Sequence, residues 1–282
     1  MTRNFAVVGS PIDYSKSPQI HRSAYRVLGL DWQYSAVDVP EGALLQFLET
    51  LDKSWHGLSV TMPLKPEAAR LATRLDVLAS KTGIANTLLR DEDGWRGFNT
   101  DIFGVQKALR DSLIASKQSV VIIGSGATAV SSAFAVLLAN PLADVRLVAR
   151  NGQAAGEVAK LVEDSGFRIK TGSMSRMVSA VKNADIVIST LPGGALDPFA
   201  FKLNRRFSSK PRGVFFDVAY NSWPSKFAAA WMSKDLTVVS GIEMLIFQAI
   251  AQLRVFTNGT VDQEILNERA VELAIRDSLG LI

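Results

Sequence analysis

The chain has 282 residues, 31 Lys and Arg against 27 Asp and Glu for a formal net charge of +4, and 48% hydrophobic residues. That length favours two domains of about 150 residues each, and the composition supplies a real core and excludes wholesale disorder. A weak positive excess without any run of five like charges excludes a basic nucleic-acid-binding tract; the absence of cysteine excludes disulfides, thiolate metal sites and a cysteine nucleophile, and two histidines, His21 and His56, leave no multi-histidine metal site.

In chain order, Phe5–Val8 reads as a first strand, and Ser17-Pro18 as the opening of a helix with serine at the N-cap and proline at N1. Gln33–Val37 and Gly57–Val60 read as strands separated by a helix around Glu41–Leu51, and Asn86–Leu89 and Trp95–Phe98 flank the turn Asp91-Glu92-Asp93-Gly94 as a hairpin-like pair. A helix is expected from Asp101 to about Ser116. Val120–Ile123 is then a buried strand, Thr128–Ala139 a helix and Val145–Ala149 a strand, with further strands at Phe167–Lys170, Ile186–Ser189, Val214–Asp217 and Leu236–Val239. Ser240-Gly-Ile-Glu243 has capping-box spacing before a long helix to about Phe256, and Thr260-Val-Asp-Gln263 repeats the device before a final helix ending near Gly280. The fold class is α/β: two α/β domains with mostly parallel sheets.

The stretch from Gln118 to Ala143 carries no charge and is long enough to cross a bilayer. It is broken by Gly124-Ser125-Gly126 and Pro141, so a strand, a glycine turn and a buried helix account for it better. The N-terminal residues have no signal-peptide layout, and a cytoplasmic protein without membrane or nucleic-acid partners is expected.

Gly124-Ser125-Gly126-Ala127-Thr128-Ala129 is a G-x-G-x-x-A sequence between a strand and a helix. The first glycine permits the tight turn, the second admits a pyrophosphate close to the backbone, and the small third residue lets helix and strand pack. A further strand follows, as a Rossmann-like dinucleotide-binding unit requires. An enzyme using NAD usually ends that strand in a carboxylate that holds the ribose 2′-hydroxyl. Here it ends in Ala149-Arg150-Asn151, and a guanidinium suits the extra phosphate of NADP; the plain alternative is an arginine pointing to water.

Four polar clusters stand in the first hundred or so residues: Gly9-Ser-Pro-Ile-Asp-Tyr-Ser15-Lys-Ser17-Pro18, Ser59-Val-Thr61-Met-Pro-Leu-Lys65, Gly83-Ile-Ala-Asn86-Thr87 and Gly97-Phe-Asn99-Thr100-Asp101-Ile-Phe-Gly104. With the glycine motif, Asp217-Val-Ala-Tyr220 and Gly241-Ile-Glu-Met244-Leu-Ile-Phe-Gln248-Ala, they occur in an order that resembles the shikimate dehydrogenase family from residue 5 to about 258. The resemblance implies reversible reduction of 3-dehydroshikimate to shikimate by NADPH, a step of aromatic amino-acid biosynthesis.

It also implies roles for individual residues. Lys65 matches the catalytic lysine and Asp101 its carboxylate partner, a pair able to hydrogen-bond a developing alkoxide and pass it a proton. Read without it, Lys65 is equally a surface lysine after a proline turn and Asp101 a helix cap. Ser15 and Ser17 match the substrate-carboxylate site, and Thr61, Asn86 and Gln248 match positions that hydrogen-bond ring hydroxyls, with Asp101 also touching substrate. Tyr220 matches a substrate-site position or is a core aromatic, and Thr190 and Gly241 join the glycine loop and Arg150 as cofactor-binding positions. Two positions depart from the common pattern: Tyr14 where His often stands, and Ser59 where Asn often stands. His21 reads as helix packing or an exposed polar contact and His56 as a loop residue.

The expected organisation is a substrate-binding domain from 1 to 102, completed by helices at 242–282, and an NADP-binding Rossmann-like domain at 103–241. The small-molecule substrate is shikimate or 3-dehydroshikimate, no metal is expected, and the protein is a monomer or homodimer. The alternatives are a quinate/shikimate dehydrogenase using NAD and a non-catalytic sensor that binds NADP or shikimate.

Overall fold

The apolar runs read from the sequence become strands of two separate sheets in the computed structural model of the chain, which describes residues 2–114, 116–206, 213–221 and 223–282, with only the backbone at 202–206. Two compact units result, one made of 1–104 and 246–282, the other of 105–245. Both boundaries fall inside helices.

The first unit contains β1 (Arg3–Gly9), α1 (Ser17–Leu28), β2 (Trp32–Asp38), α2 (Leu44–Thr50), β3 (Trp55–Val60), α3 (Lys65–Leu71), β4 (Arg74–Leu75), α4 (Val77–Thr82), β5 (Thr87–Asp91), β6 (Gly94–Phe98) and the start of α5 (Asp101–Ala108). Its sheet has the order β2-β1-β3-β5-β6-β4. β2, β1 and β3 run parallel, whereas β5 is antiparallel to β3 and also to β6, the latter as the tight turn at Asp91–Gly94 demands. Register places Ser59 opposite Thr87 and Thr87 opposite Phe98. A core of Ala6, Val8, Leu44, Leu58, Val60, Leu64, Leu88 and Trp95 closes one side of it.

The second unit contains β7 (Ser119–Ile123), α6 (Ala127–Ala139), β8 (Asp144–Ala149), α7 (Gly152–Asp164), β9 (Ile169–Ser173), a 3-10 turn at Met174–Arg176, α8 (Met177–Val181), β10 (Ile186–Ser189), α9 (Asp197–Arg206), β11 (Val214–Asp217), α10 (Lys226–Met232) and β12 (Val238–Ser240). All six strands are parallel in the order β12-β11-β10-β7-β8-β9, the doubly wound dinucleotide-binding arrangement. The uncharged stretch is accounted for by β7, its glycine turn and α6, whose residues Ala129–Leu137 are all buried. Among the described residues no helix is long and apolar enough to cross a membrane. α11 (Gly241–Asn258) carries the chain back to the first unit, where α12 (Glu268–Ser278) packs on α1.

Several expectations are corrected. The helix read from Asp101 to Ser116 ends at Ala108, because the Gln118 amide accepts from the Ile114 N–H and donates to the Ser112 carbonyl, holding that segment in a non-helical turn; Ala115 lies outside the described residues. The Thr260–Gln263 box does not start the last helix, which begins at Glu268 after Asn267 in the left-handed region; Thr260 instead accepts the Asp262 N–H in a local turn. Ser17 is the first residue of α1 and makes no capping bond; Ser15 accepts the Ser17 N–H at 3.3 Å. The strands expected at Phe167–Lys170 and Leu236–Val239 lie at Ile169–Ser173 and Val238–Ser240. His56 belongs to β3, not to a loop.

His21 is fully buried, stacked on Tyr34 at 4.2 Å with planes 6° apart. Its Nε2 lies 3.2 Å from the Gln252 amide oxygen, while Nδ1 is buried without a partner. Burial pushes its pKa from 6.5 down to about 3, against a smaller opposing effect of the Gln252 bond. The unfolded chain therefore binds one more proton than the native state between those values. Stability is fully present above about pH 6.5 and is lost as pH falls towards 3, at up to about 1.4 kcal/mol per pH unit. His21→Phe keeps the stacked ring and is expected to flatten that slope; equal slopes for both proteins, in urea midpoints at pH 7 and pH 5, contradict it.

Candidate active site

The centre of the site in the first unit is an ion pair. Lys65 opens α3 and Asp101 opens α5, and Lys65 Nζ donates to Asp101 Oδ2 at 2.6 Å. The two side chains are 12% and 4% exposed, so Lys65 is not the surface lysine that the sequence by itself allows. Asn86 stands between α4 and β5 and donates from Nδ2 to the other Asp101 oxygen at 2.8 Å. Its own Oδ1 accepts the Thr100 N–H at 2.8 Å and the Thr87 hydroxyl at 2.9 Å. A backbone N–H can only donate, so the orientation of the Asn86 amide is unambiguous and its N–H groups face Asp101.

Gln248, just inside the first-unit part of α11, places Oε1 3.4 Å from Asn86 Nδ2. Thr61 follows β3 directly; its N–H donates to the Val8 carbonyl, and a Cβ on Gly9 would run into the Thr61 side chain. Glycine is required there by that close approach. Ser17 is buried, while Ser15 is half-buried beside it. Lys65, Asp101, Asn86 and Gln248 thus form one connected cluster, and Ser15 and Ser17 sit at the start of α1 in the same unit. Thr61 is tied to it through the chain, since β3 leads through Thr61 to Lys65 four residues later. Of the two departures, Tyr14 is exposed, whereas Ser59 is buried and bonded to Tyr34 and Gln252.

In the second unit the glycine loop joins β7 to α6 where the strand order reverses, between β7 and β10. Gly124 has φ +126, a conformation for which glycine is suited, and a Cβ there would collide with the Thr190 hydroxyl. Thr190 follows β10 and bonds the Ile123 carbonyl through both its N–H and its hydroxyl, at 2.9 and 3.0 Å. Ser125, Ala127 and Thr128 lie around the helix start, Ala129 is fully buried against the strand, and a Cβ on Gly126 would point into open space. α6 has no side-chain cap and no acid in its first turn. Its first N–H groups therefore have no side-chain cap, and with glycine on either side of Ser125 the turn fits a pyrophosphate. Arg150 is exposed directly after β8, and Asn151 caps α7 by accepting the Ala154 N–H at 3.1 Å.

Gly241 has a packing reason of its own. A Cβ there would overlap the Val218 carbonyl, so Gly241→Ala is expected to destabilise the fold by about 1–3 kcal/mol. An unchanged denaturant midpoint with weakened NADPH binding would make it a cofactor contact instead. Tyr220 is half-buried in the loop after β11. Nearby Asp217 accepts from the Ser225 hydroxyl at 2.8 Å, and burial raises its pKa above the usual carboxylate value.

Gln252, Tyr34, Thr87 and Thr100 also support the site, and nothing in the sequence marks them individually for that role. Gln252 is one helical turn beyond Gln248, a spacing that places both on one face of α11.

Residues 7–88 match the family described as the shikimate dehydrogenase substrate binding domain. Shikimate dehydrogenase (NADP(+)) of Methanosarcina acetivorans is 31% identical over 96% of this chain and 99% of its own length. The solved shikimate dehydrogenase of Mycobacterium tuberculosis is 33% identical, with a TM-score of 0.83 over 98% of this chain and 99% of that one. The shikimate 5-dehydrogenase of Thermus thermophilus, solved in complex with NADP(H) and shikimate, is 27% identical, with a TM-score of 0.79 over 98% and 100%.

Proposed function

Because the chain belongs to the shikimate dehydrogenase family, we propose that it catalyses the reversible NADPH-dependent reduction of 3-dehydroshikimate to shikimate. The observation that carries this reading is the buried Lys65–Asp101 contact with Asn86 on the second carboxylate oxygen. The first unit is the substrate-binding domain and the second the NADP-binding domain. NADPH, when bound, supplies the hydride; the glycine loop 124–129, Thr190 and Arg150 are the residues that would hold it.

Reduction of a carbonyl to an alcohol also takes up one proton. Lys65 is the donor: its ammonium hydrogen-bonds the carbonyl oxygen, stabilises the negative charge that develops there and transfers the proton to it. In the reverse direction it accepts that proton from the alcohol. Asp101 keeps the lysine side chain in place and its charge balanced, and Asn86 prevents the carboxylate from turning away. Ser15 and Ser17 hold the substrate carboxylate, and Thr61, Asn86 and Gln248 contact the rest of the substrate, with amide and hydroxyl groups that match ring hydroxyls without adding charge.

Purified protein given shikimate and NADP is expected to form NADPH, followed by nicotinamide absorbance. Protein that binds both ligands without turnover would be a sensor, and the reading as an enzyme would fall.

A further inference from the structure

Gln252 makes hydrogen bonds with four residues, and three of them belong to one directed chain. The Tyr34 hydroxyl donates to Ser59 Oγ at 2.6 Å, and Ser59 donates to Gln252 Oε1 at 2.7 Å. Gln252 Nε2 donates to the Thr87 hydroxyl and to the Asn86 carbonyl, both at 3.1 Å. The Thr87 hydroxyl donates to Asn86 Oδ1, and Asn86 Nδ2 donates to Asp101 Oδ1. Lys65 closes the series on Asp101 Oδ2. From Tyr34 to the carboxylate each donor points the same way, and hydrogen bonds aligned in this manner polarise one another.

The protonation states of Tyr34, at the head of the series, and of His21, the fourth partner of Gln252, are fixed chemically. Burial pushes the Tyr34 phenol well above its ordinary value, so it remains a donor, and burial lowers His21 so that it remains neutral. Gln252 Oε1 faces the Ser59 donor and His21 Nε2, and its amide nitrogen faces two acceptors; flipping the amide would oppose donor to donor on one side and strand both acceptors on the other. Gln252 and Thr87 are 2% and 0% exposed, so water does not replace a lost partner cheaply.

We propose that Gln252 is a positioning residue for the reaction, acting through Thr87 and Asn86 to hold the Asp101 carboxylate against Lys65. This rests on the reading of Lys65 and Asp101 given above. Ser59 is part of the same device: its hydroxyl is engaged with Tyr34 and Gln252 and serves the support of the site.

The test is a double-mutant cycle on kcat with shikimate and NADP, at a temperature well below the melting point of every variant. Gln252→Met is expected to lower kcat at least about tenfold in the native background and less than about twofold in the Asn86→Ala background, because the amide through which Gln252 acts is then gone. Thr87→Val keeps a β-branched side chain at the start of β5 and is expected to show the same coupling, so the inference stays testable if Gln252→Met does not fold. A purely structural Gln252 would lower the melting point and leave kcat per folded molecule unchanged, or give equal losses in both backgrounds; either result overturns the proposal. An inactive wild-type protein would instead overturn the proposed function.

Discussion

Lys65→Ala is expected to lower kcat by about 10²–10⁴-fold, the range for removal of a positioned acid–base group, while shikimate still binds. What the side chain touches sets that expectation. Lys65 contributes one contact to Asp101, which has a second contact from Asn86 but loses its counter-charge in the variant, so kcat is compared per folded molecule. The proton on its ammonium has no other donor in the connected cluster: Asn86 and Gln248 carry amides, which do not release protons at neutral pH. Shikimate binding by fluorescence or calorimetry, measured beside kcat, separates the two effects. Near-normal turnover in the variant would remove Lys65 from the chemistry; loss of binding equal to the loss of turnover would make it a binding residue only.

Arg150→Ala is expected to weaken NADPH about tenfold to a hundredfold and to leave NADH nearly unchanged. A hydrogen bond to a charged group contributes about 1.5–3 kcal/mol, and each 1.4 kcal/mol is a factor of ten. Arg150 is exposed and stands directly after β8, at the carboxyl end of the strand beside the one that carries the glycine loop. That is where the ribose of a dinucleotide lies in this strand arrangement. Asn151 pins the following turn through its N-cap bond, so the arginine stem starts from a fixed position. Dissociation constants for the two nucleotides measured on both proteins decide it, and equal losses would mean that Arg150 does not read the 2′-phosphate.

The strands were legible because apolar runs such as Val120–Ile123 and Ile186–Ser189 are buried on both faces and bounded by turn residues. The glycine motif was legible because Gly124 meets a backbone requirement, its φ of +126, that the sequence must satisfy locally. The ends of helices were less so. At Ala108 the helix stops because a side chain ten residues later captures the backbone, and no local pattern near the end announces that. The capping spacing at Thr260 is present without its helix, since Asn267 and a local turn intervene. The ion pair was named through the family resemblance, not through spacing: Lys65 and Asp101 are 36 residues apart and meet only because α3 and α5 start near each other. Gln252 was invisible for a related reason. A glutamine on a largely apolar helix reads as a tolerated polar residue until Ser59, Thr87 and Asn86 are seen to converge on it from two strands and a loop.

Initial rates with shikimate and with quinate, each with NADP and with NAD at equal concentrations, test the assignment of substrate and cofactor most directly. Shikimate with NADP is predicted to be much the fastest pair, because Arg150 stands where an NAD enzyme carries a carboxylate. A faster rate with quinate and NAD would contradict both the substrate and the cofactor assignment.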